Sequence, residues 1–139
     1  MYKNYPNLHV LAENSELLLG HSFETAILIC KWSGEHLFVD DFYGDPTCGC
    51  ISPTSEWALV AGEHITVWRK AQGVTQLVAE QLRYVQALRL IDATDVQLLI
   101  DPWGTHAAIW RLHLMDLSLR KVRDFPDYQD RAYEEQIDW

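Results

Sequence analysis

Apolar residues in this chain fall into short runs broken by polar turns, and the runs recur. Three segments can be laid over one another: LAENSELLLGHSFETAILICKW from Leu11, ISPTSEWALVAGEHITVWR from Ile51 and IDATDVQLLIDPWGTHAAIWR from Ile91. Each begins with an aliphatic residue and a polar turn, followed by a short apolar strand at residues 17–19, 57–61 or 96–100. A second turn then holds Gly20, Gly62 or Gly104, and a longer strand ends at Trp32, Trp68 or Trp110. One more strand follows each Trp, at residues 36–40, 74–79 and 117–123. Starting points 40 residues apart mark stacked supersecondary units, because a unit this small cannot bury its apolar face alone. The pattern predicts an all-β single domain over residues 1–139. About three tandem antiparallel hairpin or meander units would form a sandwich or a partial propeller-like body, with the three Trp side chains lining its interior.

Two stretches depart from the pattern. In residues 75–90, TQLVAEQLRYVQALRL, Val78, Leu82, Val85 and Leu88 also trace a helical stripe, and the composition favours a helix. The repeat demands strands there, and strands are the expectation. The acidic C-terminal segment, residues 124–139, opens with Pro126 and Asp127, which suit a short helix start. The alternative is a partly ordered acidic tail ending at Trp139.

The 40-residue spacing and the Trp closing each unit resemble blades of a WD40-type β-propeller across most of residues 11–123. The Gly-His and Trp-Asp pairs of that family are missing, and closed propellers typically use four or more blades. The resemblance therefore implies antiparallel meander units short of a closed ring.

The chain has 139 residues and 48% apolar composition, enough to bury a core without staples. No apolar run approaches a membrane span. The N-terminal MYKNYPNLHV has no continuous apolar stretch and is not read as a secretory signal. Three cysteines with no export signal read as thiols in a reducing cytoplasm. The net charge of −9 is uneven, with residues 124–139 contributing six acids against Arg131. Such a protein is repelled by phosphate backbones, so the expected partner is a basic protein and neither nucleic acid nor a membrane.

Candidate chemistry centres on DDFYGDPTCGCI, residues 40–51. Cys48 and Cys50 share a strand face, with Gly49 opposite. Two thiolates so placed, joined by histidines, could hold a soft metal. The spacing is too short for a paired zinc ligand set, so two small buried side chains are preferred, with Gly49 admitting a neighbouring strand. Asp40, Asp41 and Asp45 would lie on a loop around Phe42 and Tyr43, read either as a contact patch for a basic partner or as a solvated turn with Phe42 tucked into the core. Asp101 and Trp103 occupy a turn equivalent to those of Phe23 and Glu63, so units side by side would place all of them on one edge. Trp103 is read either as an exposed anchor there or as a lid folded over the core. His64 and His106 each stand four residues before a Trp, and His21 falls in the matching loop. Three imidazoles from equivalent turns could bind zinc, although Leu28 at the aligned place in the first unit argues for packing.

Named catalytic signatures are absent. The expectation is a non-catalytic, cofactor-free protein binder using Asp40, Asp41, Tyr43, Asp45, Asp101 and Trp103. In size, charge and lack of catalytic motifs it resembles small acidic bacterial immunity proteins, which neutralise toxins by binding them. The alternative is a metal-binding protein or metal-dependent enzyme using His21, His64 and His106, with or without Cys48 and Cys50. An incomplete set of units could also pair its open sheet edges with a second copy.

Overall fold

The recurrent runs become strands, and the computed structural model describes them within residues 7–139. The first blade contains β1 (His9–Glu13), β2 (Leu17–Ser22), β3 (Thr25–Cys30) and β4 (His36–Asp41). The second contains β5 (Cys48–Ile51), β6 (Trp57–Ala61), β7 (Ile65–Arg69) and β8 (Gly73–Leu77). The third contains β9 (Val85–Leu90), β10 (Asp95–Ile100), β11 (Ala108–His113) and β12 (Ser118–Asp124). Each blade is a four-stranded antiparallel meander in which every strand pairs with its chain neighbour. The molecule is all-β, a partial propeller-like stack of three units. The first strands, β1, β5 and β9, lie next to one another, and the last strands β4, β8 and β12 form the outer edges. No helix among the described residues is long and apolar enough to cross a membrane.

The middle blade explains the packing. All five residues of β6 are buried, because both faces of that blade are covered. Ala58, Val60 and Trp68 meet Leu17, Leu19, Leu28 and Phe38 of the first blade. Trp57, Leu59, Ile65 and Val67 meet Val96, Leu98, Ile100 and Leu112 of the third. A strand buried on both faces reads as a continuous apolar run, and the WALVA of β6 is one. Outer β12 meets solvent instead and carries Arg120, Lys121 and Arg123. Charges on an edge strand resist unwanted pairing.

Close approach between blades falls on Gly49 in β5. A Cβ there would lie 2.6 Å from Leu19 Cδ2 and 3.0 Å from the Leu59 carbonyl. The opposite face of β5 carries Cys48 and Cys50, which pack against the core between the second and third blades. This is the arrangement expected from sequence.

The outer face of the third blade is closed by the chain's own C-terminal segment. Phe125 and Tyr128 stack at 5.8 Å and pack with Leu99, Ala107 and Ile109. The Phe125 N–H donates to the Ala107 carbonyl (2.9 Å), Gln129 Nε2 to the Gly104 carbonyl (2.9 Å), and Arg89 Nη1 to the Trp139 carbonyl (2.6 Å). The Arg89 guanidinium also lies 4.1 Å from the Trp139 ring centroid. An end cap of this kind replaces the neighbour that a terminal repeat lacks.

One expectation is corrected and two are refined. Trp32 does not line the interior: β3 ends at Cys30, the tight β3–β4 hairpin bonds Gly34 N–H to the Cys30 carbonyl (2.8 Å), and Trp32 stands at its tip, 87% exposed. Trp68 and Trp110 do pack between blades. Residues 75–90 are strands, as the repeat required, but a single 3-10 turn (Glu80–Leu82) separates them and buries Leu82. The C-terminal segment forms one short 3-10 helix (Pro126–Tyr128), opened by Pro126 as expected, and then packs irregularly on the third blade instead of trailing as a loose tail.

Two stability measurements check this packing. Gly49→Ala should destabilise the protein by about 1–3 kcal/mol in urea titrations, the usual effect of overpacking a full core. Phe125→Ala should cost about 3–5 kcal/mol, because it removes the centre of the end cap.

Candidate functional site

Antiparallel meanders put alternate turns at opposite ends. The β2–β3, β6–β7 and β10–β11 turns therefore share one rim with the connections from β4 to β5 and from β8 to β9. Hydrogen bonds join them: Phe42 N–H to the Glu24 carbonyl (2.8 Å), Val85 N–H to the Gly62 carbonyl (2.8 Å) and Asp101 N–H to the Tyr84 carbonyl (3.0 Å).

The first connection, residues 42–47, is pinned at both ends and splayed in the middle. Phe42 is buried between the first two blades. Gly44 N–H donates to Glu24 Oε2 (2.5 Å) and Tyr43 N–H to Glu63 Oε1 (3.3 Å). The Thr47 hydroxyl lies 3.2 Å from the Ala61 carbonyl and 2.5 Å from the Val85 carbonyl, tying the connection to the next two blades. With its neighbours held, Tyr43 projects outward, 84% exposed.

Beneath it lies a polar link between blades. His64 Nε2 is 2.8 Å from Asp40 Oδ2, and its Nδ1 is 2.5 Å from Glu63 Oε1. The Thr66 hydroxyl donates to the same Asp40 oxygen, and Gln76 Nε2 donates to Asp40 Oδ1 (2.7 Å). The imidazole stacks on the Phe42 ring at 3.9 Å. Carboxylates facing both ring nitrogens favour the form in which both donate, the imidazolium. Burial opposes that charge, but the hydrogen bonds to Asp40 and Glu63 outweigh it and raise the His64 pKa above the ordinary imidazole value. Burial likewise pushes Glu63 up, while bonds from His64 and the Tyr43 N–H bring it below the usual carboxylate range.

The imidazoles and thiols of the metal alternative are not brought together. A metal ligand needs a free nitrogen lone pair, and an imidazolium has none. His21 Nδ1 lies 2.9 Å from the Phe23 carbonyl and His106 sits in the exposed β10–β11 turn. Burial raises Cys48 to about 11 and, with the neighbouring Cys48 adding to it, Cys50 to about 12, so both are protonated thiols. Among the described residues no three His, Cys, Asp or Glu side chains are grouped to hold a metal ion. Cys30, Cys48 and Cys50 are all free.

The expected docking residues divide. Asp41, Tyr43 and Asp45 are exposed on the rim. Asp40 is not: it lies in β4 with its carboxylate engaged by His64, Thr66 and Gln76. Asp101 adopts a left-handed backbone (φ 46°) and folds its carboxylate over Gly104, where a Cβ would fall 1.9 Å from Oδ2. Trp103 is a lid and not an anchor, packed at 5.0 Å against Tyr133 and edge-on to Tyr128. Sequence reasoning did not select Tyr84 and Tyr133, and it named Phe23 only as a neighbour; all three are exposed rings on this rim. Phe23 (φ 51°) and Tyr84 (φ 62°) also hold left-handed conformations. Their place at turns was a usable signal, but their conformation depends on how the blades meet.

The fold defines a class, the partial β-propeller-like stack. No protein-family model and no curated protein matches the chain. Among solved structures it is similar to Kuenenia stuttgartiensis hydrazine synthase, with TM-score 0.58 and 11% identity over 81% of this chain and 36% of that one. It is also similar to Saccharomyces cerevisiae Sqt1, with TM-score 0.58 and 14% identity over 86% of this chain and 36% of that one. The chain thus spans about a third of the length of each, and the likeness is one of fold.

The His64 link gives a pH signature. A raised pKa means that the stability from His64 is full below the ordinary imidazole range and is lost as pH rises through the raised native value. The lowered Glu63 adds stability above the ordinary carboxylate range, lost as pH falls through its native value. His64→Ala should cost about 3 kcal/mol in mildly acidic buffer, the order seen when a buried ion pair loses one partner. Urea titrations across pH should show the gap to the parent narrowing on the alkaline side. A gap that stays constant would mean a neutral His64.

Proposed function

We propose that this protein is a non-catalytic binder that recognises a basic protein through the rim of turns at one end of its blades. The observation that carries the reading is the concentration of exposed rings there. Phe23, Tyr43, Tyr84 and Tyr133 all stand on this rim, interspersed with Glu24, Asp41, Asp45, Glu63 and Glu80. Aromatic anchors inside a charged rim are the usual composition of a protein-binding surface. Phe23 and Tyr84 hold positive φ at some cost in backbone energy, and strain retained at exposed aromatics supports a contact role.

Charge supports the same reading. Residues 125–139 bring five acids against one base and lie on the third blade, whose residues 85–124 carry five acids and five bases. Residues 1–84 carry ten acids against five bases, and five of those acids, Glu24, Asp41, Asp45, Glu63 and Glu80, stand at the rim. The partner's expected form is a basic toxin or regulator, neutralised by being covered, in the manner of an immunity protein. The setting that suits three free thiols is a reducing cytoplasm. The WD40-like reading of the blades belongs to this proposal, as a scaffold that presents turns. Pairing through the β12 edge fits less well, because Arg120, Lys121 and Arg123 would repel their copies.

Copurification from the native host, at low and high salt, tests the reading. The parent should retain a basic protein at low salt and lose affinity as salt rises. Tyr43→Ala with Asp41→Asn and Asp45→Asn should weaken binding by about tenfold or more. Retention indifferent to both salt and these substitutions would overturn it.

A further inference from the structure

The outer face of the third blade is only half covered. The C-terminal segment occupies the half around Leu99 and Ile109. The other half is a hollow of about 630 Å³ lined by Asp95, Arg111, His113, Ser118, Leu119 and Arg120. Arg111 and Arg120 stand directly opposite each other on β11 and β12. Like charges at such a cross-strand pair repel unless something negative lies between them.

Asp95 organises the cluster from beneath. Its Oδ2 accepts from Arg111 Nε (2.5 Å) and its Oδ1 from His113 Nδ1 (2.6 Å), with the Thr94 hydroxyl also bonded to Oδ1 (2.9 Å). Burial opposes its charge, but the His113, Arg111 and Thr94 bonds hold its pKa down to about 2. Asp92 approaches Arg111 at 3.8 Å, and Asp116 is a further acid near His113. With Nδ1 bonded to Asp95, His113 Nε2 makes no hydrogen bond among the described residues. Among the described residues, Arg120 has no hydrogen bond or ion pair, whereas Ser118 is bonded through both its N–H and its side chain to Asp116. Both oxygens of Asp95 are engaged from within the sheet, so Asp95 orients two cationic groups and leaves the third unmatched.

We propose that this hollow is a phosphate-binding site, in which a phosphate group of a small ligand bridges Arg120 and Arg111 with His113 beside it. Two guanidinium groups offer paired N–H donors that match phosphate oxygens in a way a lone ammonium does not. A hollow of this volume lies within the range of small-ligand sites. The site is independent of the rim described above and faces a different direction.

The test is an NMR titration of the intact protein with inorganic phosphate, with sodium chloride at matched ionic strength and with acetate. Phosphate should shift the His113 ring and the backbone amides of residues 118–120 saturably, and chloride should not. Arg120→Gln should weaken phosphate binding by roughly tenfold, the usual scale for losing one charge-assisted contact. Lys121→Gln, opposite Trp110 and bonded to Asp124 (2.9 Å), should leave it unchanged. Shifts equal in chloride, an adventitious ion bound identically by Arg120→Gln, or acetate binding as tightly as phosphate would each overturn the assignment.

Discussion

Both faces of the second blade's central strands are buried, and the architecture follows from burying both sides at once. β6 achieves this with Ala58 and Val60 toward the first blade and Trp57, Leu59 and Ala61 toward the third. A four-stranded meander alone would leave one of these faces in water, which would cost of the order of 25 cal/mol for each Å² exposed. Stacking removes that cost in the middle and transfers it to the ends. The third blade meets it with residues 125–139, whose rings and ion pairs take the place of another blade.

Apolar packing sets the distance between blades, but it is tolerant of sliding. The polar link through His64 is not. Asp40 comes from the first blade and Thr66, Gln76 and His64 from the second, and these groups satisfy one another only in one relative placement. Buried polar groups must be paired to be tolerated, so such a network specifies an arrangement as well as supporting it. It also fixes the connection above it, because Glu63 bonds both His64 and the Tyr43 N–H. The rigid link beneath and the exposed ring above are one construction. It presents an aromatic side chain on a short, well-anchored loop, which lowers the entropy lost when a partner binds.

Charge shows the same division of roles. The acidic C-terminal segment lies on the blade richest in arginine and forms the Arg123–Asp127 contact at 3.5 Å. What stays uncovered is the acidity of the first two blades and the half of the third blade's outer face where Arg111, Arg120 and His113 lie among Asp92, Asp95 and Asp116.

The strand pattern was legible because alternation and turn residues are local properties. WALVA, the 40-residue spacing and the small Gly49 between two cysteines each carried their meaning in a few neighbouring residues. Even residues 75–90, helical by composition, obeyed the repeat, since the sheet's demand for a fourth strand exceeds a weak propensity. Other assignments needed the third dimension. Asp40 and Asp41 are adjacent in sequence, but alternation along β4 turns Asp40 toward His64, 24 residues away, and leaves Asp41 in water. Trp32 and Trp68 look equivalent in the aligned segments, and one reaches solvent because its hairpin closes two residues early. Sequence alone determined which residues form strands and how often the unit recurs, because backbone geometry and hydrophobic period act over a few residues. Only the tertiary structure decided which polar groups are consumed in holding blades together and which remain for a partner, because that depends on distances between residues far apart along the chain.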